Sequence, residues 1–232
     1  MFFCCAINYR CFRACCAMNK TKKFLCIIVF IVYTNILFAE QYVGEFSSAS
    51  LSGWQEKVFN KSTNYKLVSI NGKYVLEAHS IGAASALYKY EDVLLNETPY
   101  MNWSWRILNA PELNYNERQK KGDDFAARIY AVKSKGFLGL NTKSIIYVWS
   151  SSETKGASWI SPYTKNAVVL VLQSGFEGAG KWEFEKRNVK KDFKMLFNMD
   201  VSILSGIAVM TDTDDSGTVS KSHYGDICFS SK

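Results

Sequence analysis

The stretch Val68-Ser-Ile-Asn-Gly-Lys-Tyr-Val75 decides the fold class, because it predicts two strands joined by a tight turn. Extended runs at 65–70 and 73–79 flank the dipeptide Asn71-Gly72. Asn and Gly tolerate the positive φ angles that a two-residue type I′ turn requires. The stretch therefore predicts a β-hairpin in an otherwise strand-rich chain.

Further strand-length runs lie on both sides of this hairpin, and each either alternates in polarity or is wholly apolar. The predicted strands are 86–90, 101–108, 124–132, 144–150, 167–173, 181–189, 203–211 and 222–229. Only 190–198 has apolar residues at helical spacing. This pattern predicts an all-β fold, an antiparallel, jelly-roll-like β-sandwich with one short helix.

The N-terminal part of the chain differs in composition from the rest. Five of the 28 basic residues lie in 1–39, where there is no acidic residue, so the remaining chain has 23 basic and 21 acidic residues. A nearly neutral body gives no electrostatic indication of nucleic-acid binding. Six of the seven cysteines also precede residue 40, which leaves Cys228 without an internal disulfide partner.

Residues 18–39 have the features of a signal peptide. Lys20, Lys22 and Lys23 precede an apolar run from Phe24 to Phe38, and Ala39 is a small residue at the expected cleavage point. The sequence thus predicts an exported protein, periplasmic or secreted, with one β-sandwich domain at 40–232 and no membrane span after cleavage. Residues 1–17 are interpreted as a mis-assigned start or an unstructured extension.

Six short motifs occur in order along the body of the chain. They are Trp103-Ser-Trp-Arg106, Gly122-Asp-Asp-Phe-Ala-Ala-Arg128, Tyr147-Val-Trp149, Asp192-Phe193 with Phe197, Met210-Thr-Asp-Thr-Asp214 and Tyr224-Gly-Asp-Ile227. Together they resemble the bacterial domain-of-unknown-function family numbered 3047, although this chain has Asp215 where the family pattern has Asn. The resemblance implies export and a sandwich similar to galactose-binding or carbohydrate-binding modules. It implies no established activity and no catalytic residues.

The segment Asp212-Thr-Asp-Asp-Ser-Gly217 resembles the start of a calcium loop. Oxygen ligands at Asp212, Asp214 and Ser216 are followed by a glycine that permits a sharp turn. Position 12 is His223 rather than a bidentate Glu, so the segment is not an EF-hand. Two interpretations stay open here, a calcium site and an ordinary turn after a strand.

A glycan-binding face is the functional hypothesis that the residue types favour. Guanidinium groups bind hydroxyls and carboxylates, and aromatic rings cover the apolar faces of sugars. The candidate ligand-binding residues are Arg106, Arg128, Tyr147, Trp149, Trp105, Asp124 and Asp226. The alternative is that the two arginines form internal ion pairs with aspartates.

Evidence for catalysis is weaker. Glu183 and Glu185 share one face of a strand, but alternation on a solvent-facing strand also explains them. The two histidines lack metal-ligand spacing. The sequence therefore favours a non-catalytic module for a polysaccharide or cell-envelope glycan. A glycan-acting hydrolase and a structural or protein-interaction domain remain the alternatives.

Overall fold

The computed structural model of this protein describes residues 40–134 and 142–232. The predicted signal peptide at 18–39 and the extension at 1–17 lie outside the described residues. Within the described part, the chain forms thirteen strands, one α-helix and two 3-10 turns at Phe46–Ser48 and Lys120–Gly122. The strands are β1 (Glu40–Gly44), β2 (Gln55–Asn60), β3 (Asn64–Ile70), β4 (Lys73–Ile81), β5 (Ala84–Leu94), β6 (Tyr100–Asn109), β7 (Ala127–Lys133), β8 (Lys143–Ser150), β9 (Ser158–Ile160), β10 (Ala167–Ser174), β11 (Glu183–Asn188), β12 (Ile203–Met210) and β13 (Val219–Ser230).

The strands form two sheets, which confirms the predicted β-sandwich. The first sheet has the order β11-β6-β13-β4-β3, with β1 also paired to β13, and the second has the order β2-β5-β12-β7-β8-β10-β9. Among the described strands, only β8 and β10 pair in parallel. No helix in residues 40–134 and 142–232 is long and apolar enough to cross a membrane.

The predicted hairpin joins β3 to β4. Ile70 pairs with Lys73, so the connecting loop is Asn71-Gly72. Their φ angles are +52° and +80°, as a type I′ turn requires at both positions. Local sequence chemistry therefore determines the register of these two strands.

The predicted helix is α1 (Val189–Phe197), and both of its ends are capped. The side chain of Asn188 accepts a hydrogen bond from the backbone N–H of Lys191 at 3.0 Å. At the other end Asn198 takes a left-handed conformation and donates its backbone N–H to the carbonyl of Phe193. Val189 and Phe193 are buried, so one side of this helix packs on the sandwich.

The main core lies between the two sheets. Alternate residues of β6 point inward, and Trp103, Trp105 and Ile107, which share one face of the strand, are buried. Rings from the two sheets meet there: the centroids of Trp103 and Tyr147 are 5.5 Å apart, and those of Trp105 and Trp149 are 6.1 Å apart. Large aromatic side chains therefore fill the middle of the sandwich.

Candidate functional site

Three aromatic residues predicted to bind a ligand are core residues instead. Trp105, Tyr147 and Trp149 are buried and belong to the core cluster between the sheets. The hydroxyl of Tyr147 donates to Asp192 Oδ2 at 2.8 Å, and the Trp149 indole donates to the carbonyl of Gly175 at 3.0 Å. The prediction is wrong for these rings because their alternation identifies one shared face but not the face exposed to solvent.

Arg128 is also unavailable to a ligand, because it is only 2% exposed. Its Nε donates to Asp212 Oδ1 at 2.8 Å, and its Nη1 donates to Asp123 Oδ2 at 3.1 Å. Burial opposes the charge of Arg128, but the carboxylates of Asp212 and Asp123 outweigh it and raise the pKa of the guanidinium further. Arg128 therefore forms internal ion pairs with aspartates, which was the alternative to ligand binding.

Arg106 lies on the outer face of the first sheet, whereas Arg128 belongs to the second sheet. The Nε of Arg106 donates to His223 Nδ1 at 2.9 Å, and the Arg106 guanidinium lies 5.1 Å from the centre of the Trp182 ring. The other nitrogen of His223 lies 3.0 Å from Glu77 Oε2. Because the two arginines are on different sheets, the predicted convergence of their side chains on one surface is wrong.

The two aspartates in the predicted ligand-binding set bond to backbone groups. Asp226 Oδ1 accepts the N–H of Ser47 at 2.8 Å, which ties the first 3-10 turn to β13. Asp124 is buried, and its carboxylate accepts the N–H groups of Asp215 at 3.3 Å and Ser216 at 2.6 Å. Both residues therefore hold loops, and the structure does not bring them together with the predicted aromatic residues.

The structure changes the set of possible calcium ligands. The carboxylate of Asp212 accepts a hydrogen bond from Arg128, and the hydroxyl of Ser216 bonds to the hydroxyl of Thr218 at 2.8 Å. Two of the three predicted calcium ligands, Asp212 and Ser216, are therefore removed from the set. Asp214 stays, and its carboxylate oxygen lies within 4.8 Å of oxygens from Asp124 and Asp215. Calcium binding by this protein stays a prediction, now with a different set of residues.

The possible carboxylate pair lies at an edge of the sandwich. Glu183 and Glu185 pair with the inward-pointing Trp105 and Trp103, whereas the neighbouring Phe184 is 80% exposed. This orientation reverses the solvent-facing alternation that the sequence indicated. Glu185 accepts a hydrogen bond from the amide of Gln173 at 2.6 Å, and burial raises the pKa of its carboxyl.

A surface that sequence reasoning missed lies on the outer face of the second sheet. It is a groove of about 400 Å³ across β2, β5, β12 and β7, which we name the tyrosine groove. Its lining consists of Lys57, Phe59, Ala86, Tyr88, Lys89, Tyr90, Tyr130, Val132, Ser134, Ser205, Gly206, Ile207 and Ala208. Tyr90 is 75% exposed and Phe59 is 58% exposed, so the groove presents rings to solvent.

Strand register produces the shape of the tyrosine groove. Ala208 of β12 pairs with Tyr88 on one side and with Tyr130 on the other. Two positions along, Gly206 pairs with Tyr90 and Val132. Small residues of the central strand thus form a floor, and larger residues of both neighbouring strands form the walls.

Gly206 is needed for this arrangement, because a β-carbon there would lie 2.7 Å from the carbonyl oxygen of Lys89. The close approach coincides with a register shift between Leu204 and Gly206. A side chain at this position would displace the backbone and would also fill the floor. The same glycine therefore serves the strand pairing and the open groove.

The walls are ordered by hydrogen bonds and ring contacts. The rings of Tyr88 and Tyr90 meet edge to face with centroids 5.3 Å apart, and the Tyr88 hydroxyl donates to Gln55 Oε1 at 2.8 Å. The Tyr130 hydroxyl lies 3.4 Å from Met210 Sδ. Burial raises the pKa of Tyr130 to about 12, so its phenol is neutral and can donate a hydrogen bond at ordinary pH.

The lining of the tyrosine groove supports binding rather than chemistry. It contains no carboxylate, imidazole or thiol among its residues. A hydrolytic site needs a nucleophile or a pair of acid and base groups within reach of the substrate. The signal for this site was present as alternating Tyr88 and Tyr90, but recognising it required the pairing of β5 with β12 and of β12 with β7.

Several solved structures resemble this fold at low sequence identity. A family 30 carbohydrate-binding module of a cellulosomal cellulase from Clostridium thermocellum has a TM-score of 0.48 and 11% identity, covering 84% of this chain and 98% of its own. A family 11 module from the same organism, in complex with a β-1,3-1,4-mixed-linked tetrasaccharide, has a TM-score of 0.45 and 10% identity, covering 82% and 94%. A family 29 module from Piromyces equi has a TM-score of 0.38 and 8% identity, covering 85% and 93%.

Sequence comparisons identify a family rather than a characterised relative. No curated protein sequence matches the chain significantly. The family described as "Protein of unknown function (DUF3047)", by contrast, matches residues 52–228, as the order of motifs along the body predicted. Because this match spans most of the domain, the chain belongs to the DUF3047 family.

Proposed function

We propose that this protein is a non-catalytic glycan-binding module and that its ligand lies in the tyrosine groove. One observation carries the proposal: the exposed ring of Tyr90 and the half-buried rings of Tyr88 and Tyr130 flank a floor of Gly206 and Ala208. Monomeric proteins rarely expose such rings together without a binding partner. The export predicted for the chain would bring the module into contact with envelope or extracellular polysaccharide.

The chemistry of the groove suits a sugar better than a purely apolar ligand. A pyranose has apolar C–H faces, which pack on rings, and a rim of hydroxyl groups, which need hydrogen-bond partners. The tyrosine hydroxyls can serve that rim. Lys57 adds an ammonium group at one end, 5.3 Å from the centre of the Phe59 ring.

The dimensions favour a short segment of a linear chain. The walls belong to β5 and β7, which are separated by two strand spacings, or about 10 Å between backbones. Along β5, Ala86 and Tyr90 are four residues apart, which corresponds to roughly 13 Å. The groove is therefore longer than it is wide.

Hydrolysis has no support in this groove, because its lining lacks carboxylates. Glu183 and Glu185 belong to β11 of the first sheet, whereas the groove lies on the second sheet. If the protein has a structural or interaction role instead, the groove should bind no sugar, which a glycan array can measure.

Replacement of Tyr90 tests the proposal. A glycan array should first identify a ligand, and titration calorimetry should then measure its affinity for the wild type and for Tyr90→Ala. Loss of one stacking ring should weaken binding by about 1 kcal/mol, or roughly fivefold. Because Tyr90 is 75% exposed, the free energy of unfolding should change little.

The matched control is Phe184→Ala, which removes an 80% exposed ring from the first sheet. This variant should bind the glycan as tightly as the wild type does. Equal weakening by both substitutions, or a wild type that binds nothing on a broad array, would contradict the proposal.

A further inference from the structure

We infer that the ligand of the tyrosine groove is an acidic glycan, one that carries carboxylate groups; this inference rests on the proposed function. The observation is the balance of charge in the groove. Lys57 and Lys89 are among the lining residues and no acidic residue is, but only Lys57 directs its ammonium group into the groove.

The two lysines have different surroundings. The ammonium of Lys89 donates to the carbonyl of Val43 at 3.1 Å and lies 3.9 Å from Glu91 Oε2. Lys89 therefore borders the groove with its backbone, and its side chain lies on the opposite face of β5, beside Gly53. Lys57 forms no ion pair with any carboxylate of the described residues within 4.0 Å.

The position of Lys57 places this charge at one end of the groove. Lys57 of β2 pairs with Ala86 of β5. Ala86 is two residues before Tyr88 on the same strand, which corresponds to roughly 7 Å along the backbone. The adjacent Glu56 points to the opposite face of the sheet because side chains alternate along a strand. An ammonium thus faces the space in front of the rings without a carboxylate beside it.

A uronic acid matches this arrangement. Its ring can pack between the tyrosine walls while its carboxylate accepts a charge-assisted hydrogen bond from Lys57. The contact of Lys57 with Phe59 holds the ammonium near the aromatic wall, so the two interactions occur at the same end. A neutral sugar could accept a hydrogen bond from Lys57 but would lack the attraction between opposite charges.

The test compares glycans that differ only in charge. Polygalacturonate, alginate and hyaluronan should each be paired with a carboxyl-reduced form, in which each carboxylate becomes a hydroxymethyl group and the linkages are unchanged. We expect at least one acidic polymer to bind about fivefold more tightly than its reduced form at low ionic strength, the upper end for an exposed ion pair. Added salt should narrow this difference.

Variants identify the charge responsible. Lys57→Gln should remove the preference for the acidic form, and Lys57→Arg should retain it. The matched control is Lys73→Gln, which removes one positive charge next to the hairpin turn of the first sheet and should leave the preference intact.

The outcomes separate the two proposals. Equal affinity for the acidic and reduced forms, with both weakened by Tyr90→Ala, would overturn the inference and leave the glycan-binding proposal standing. Failure of every acidic and neutral polymer to bind the wild type would overturn both. A preference for acidic forms that survives in Lys57→Gln would also overturn the assignment of Lys57.

Discussion

Replacement of Arg128 by alanine should destabilise this protein severely, because it leaves two buried carboxylates without a cation. Arg128 is 2% exposed and bridges Asp123 and Asp212, which are also buried. Removal of one member of a buried ionic group costs about 3–5 kcal/mol. Domains of this kind are stable by only about 5–15 kcal/mol, so much of the total would be lost.

Urea unfolding followed by tryptophan fluorescence measures this effect as a change in the unfolding free energy. The matched control is Arg118→Ala, because Arg118 also forms a two-point ion pair, with Glu153 at 2.8 and 2.7 Å, but is exposed. That exposed pair should contribute little, since solvent screens it. The two substitutions remove the same side chain, so their difference measures the combined effect of burial and of the second carboxylate partner of Arg128.

A triple variant distinguishes stranded charge from lost packing. Arg128→Met with Asp123→Asn and Asp212→Asn removes all three charges and keeps approximate side-chain volume. It should be more stable than Arg128→Ala, because no uncompensated charge remains inside. An Arg128→Ala protein within about 1 kcal/mol of the wild type would refute the reasoning, as that loss is typical of an exposed ion pair.

Two further predictions concern pH and calcium. Burial lowers the pKa of His223 below its ordinary 6.5, and Arg106 and Lys221 act in the same direction while Glu77 opposes them. The neutral form of His223 therefore stabilises the fold above pH 6.5, and this contribution should decrease as the pH falls below 6.5. The urea midpoints of the wild type and of His223→Gln should accordingly converge towards low pH. A difference between the two midpoints that stays constant with pH would contradict the prediction. Millimolar calcium should raise the melting temperature of the wild type and of Ser216→Ala but not of Asp214→Ala, because Asp214 lies with Asp124 and Asp215 whereas the Ser216 hydroxyl bonds to Thr218. If calcium shifts none of these proteins, the segment is an ordinary turn.

Local patterns predicted the features of this fold that depend on neighbouring residues. Asn71-Gly72 specifies its turn through the φ angles that the two residues tolerate. Apolar residues at helical spacing predicted the helix at 190–198, and the structure adds the side chain of Asn188 as its N-terminal cap. Alternation within the predicted strand 101–108 places Trp103, Trp105 and Ile107 on one face, and the structure buries all three. Each of these properties is decided within a few residues of the chain.

Alternation of polar and apolar residues along a strand did not show which face of the strand is buried. Phe184 and Glu185 are adjacent on an alternating strand, and the structure exposes the phenylalanine rather than the glutamate. Likewise, Tyr147 and Trp149 share a face, but only packing against Trp103 and Trp105 makes that face the core. Burial depends on which sheet covers a face, and this is a property of the whole sandwich.

The sequence by itself determined a strand-rich domain, its hairpin, its helix and its membership of a motif-defined family. The tertiary structure alone decided the candidate site. Tyr88 and Tyr130 are far apart in the chain, and they face each other because β12 pairs with both β5 and β7 and places Ala208 between them. A strand specifies alternate faces every two residues, but its partners and its register arise from long-range pairing, so a surface built across three strands exists only in the folded sheet.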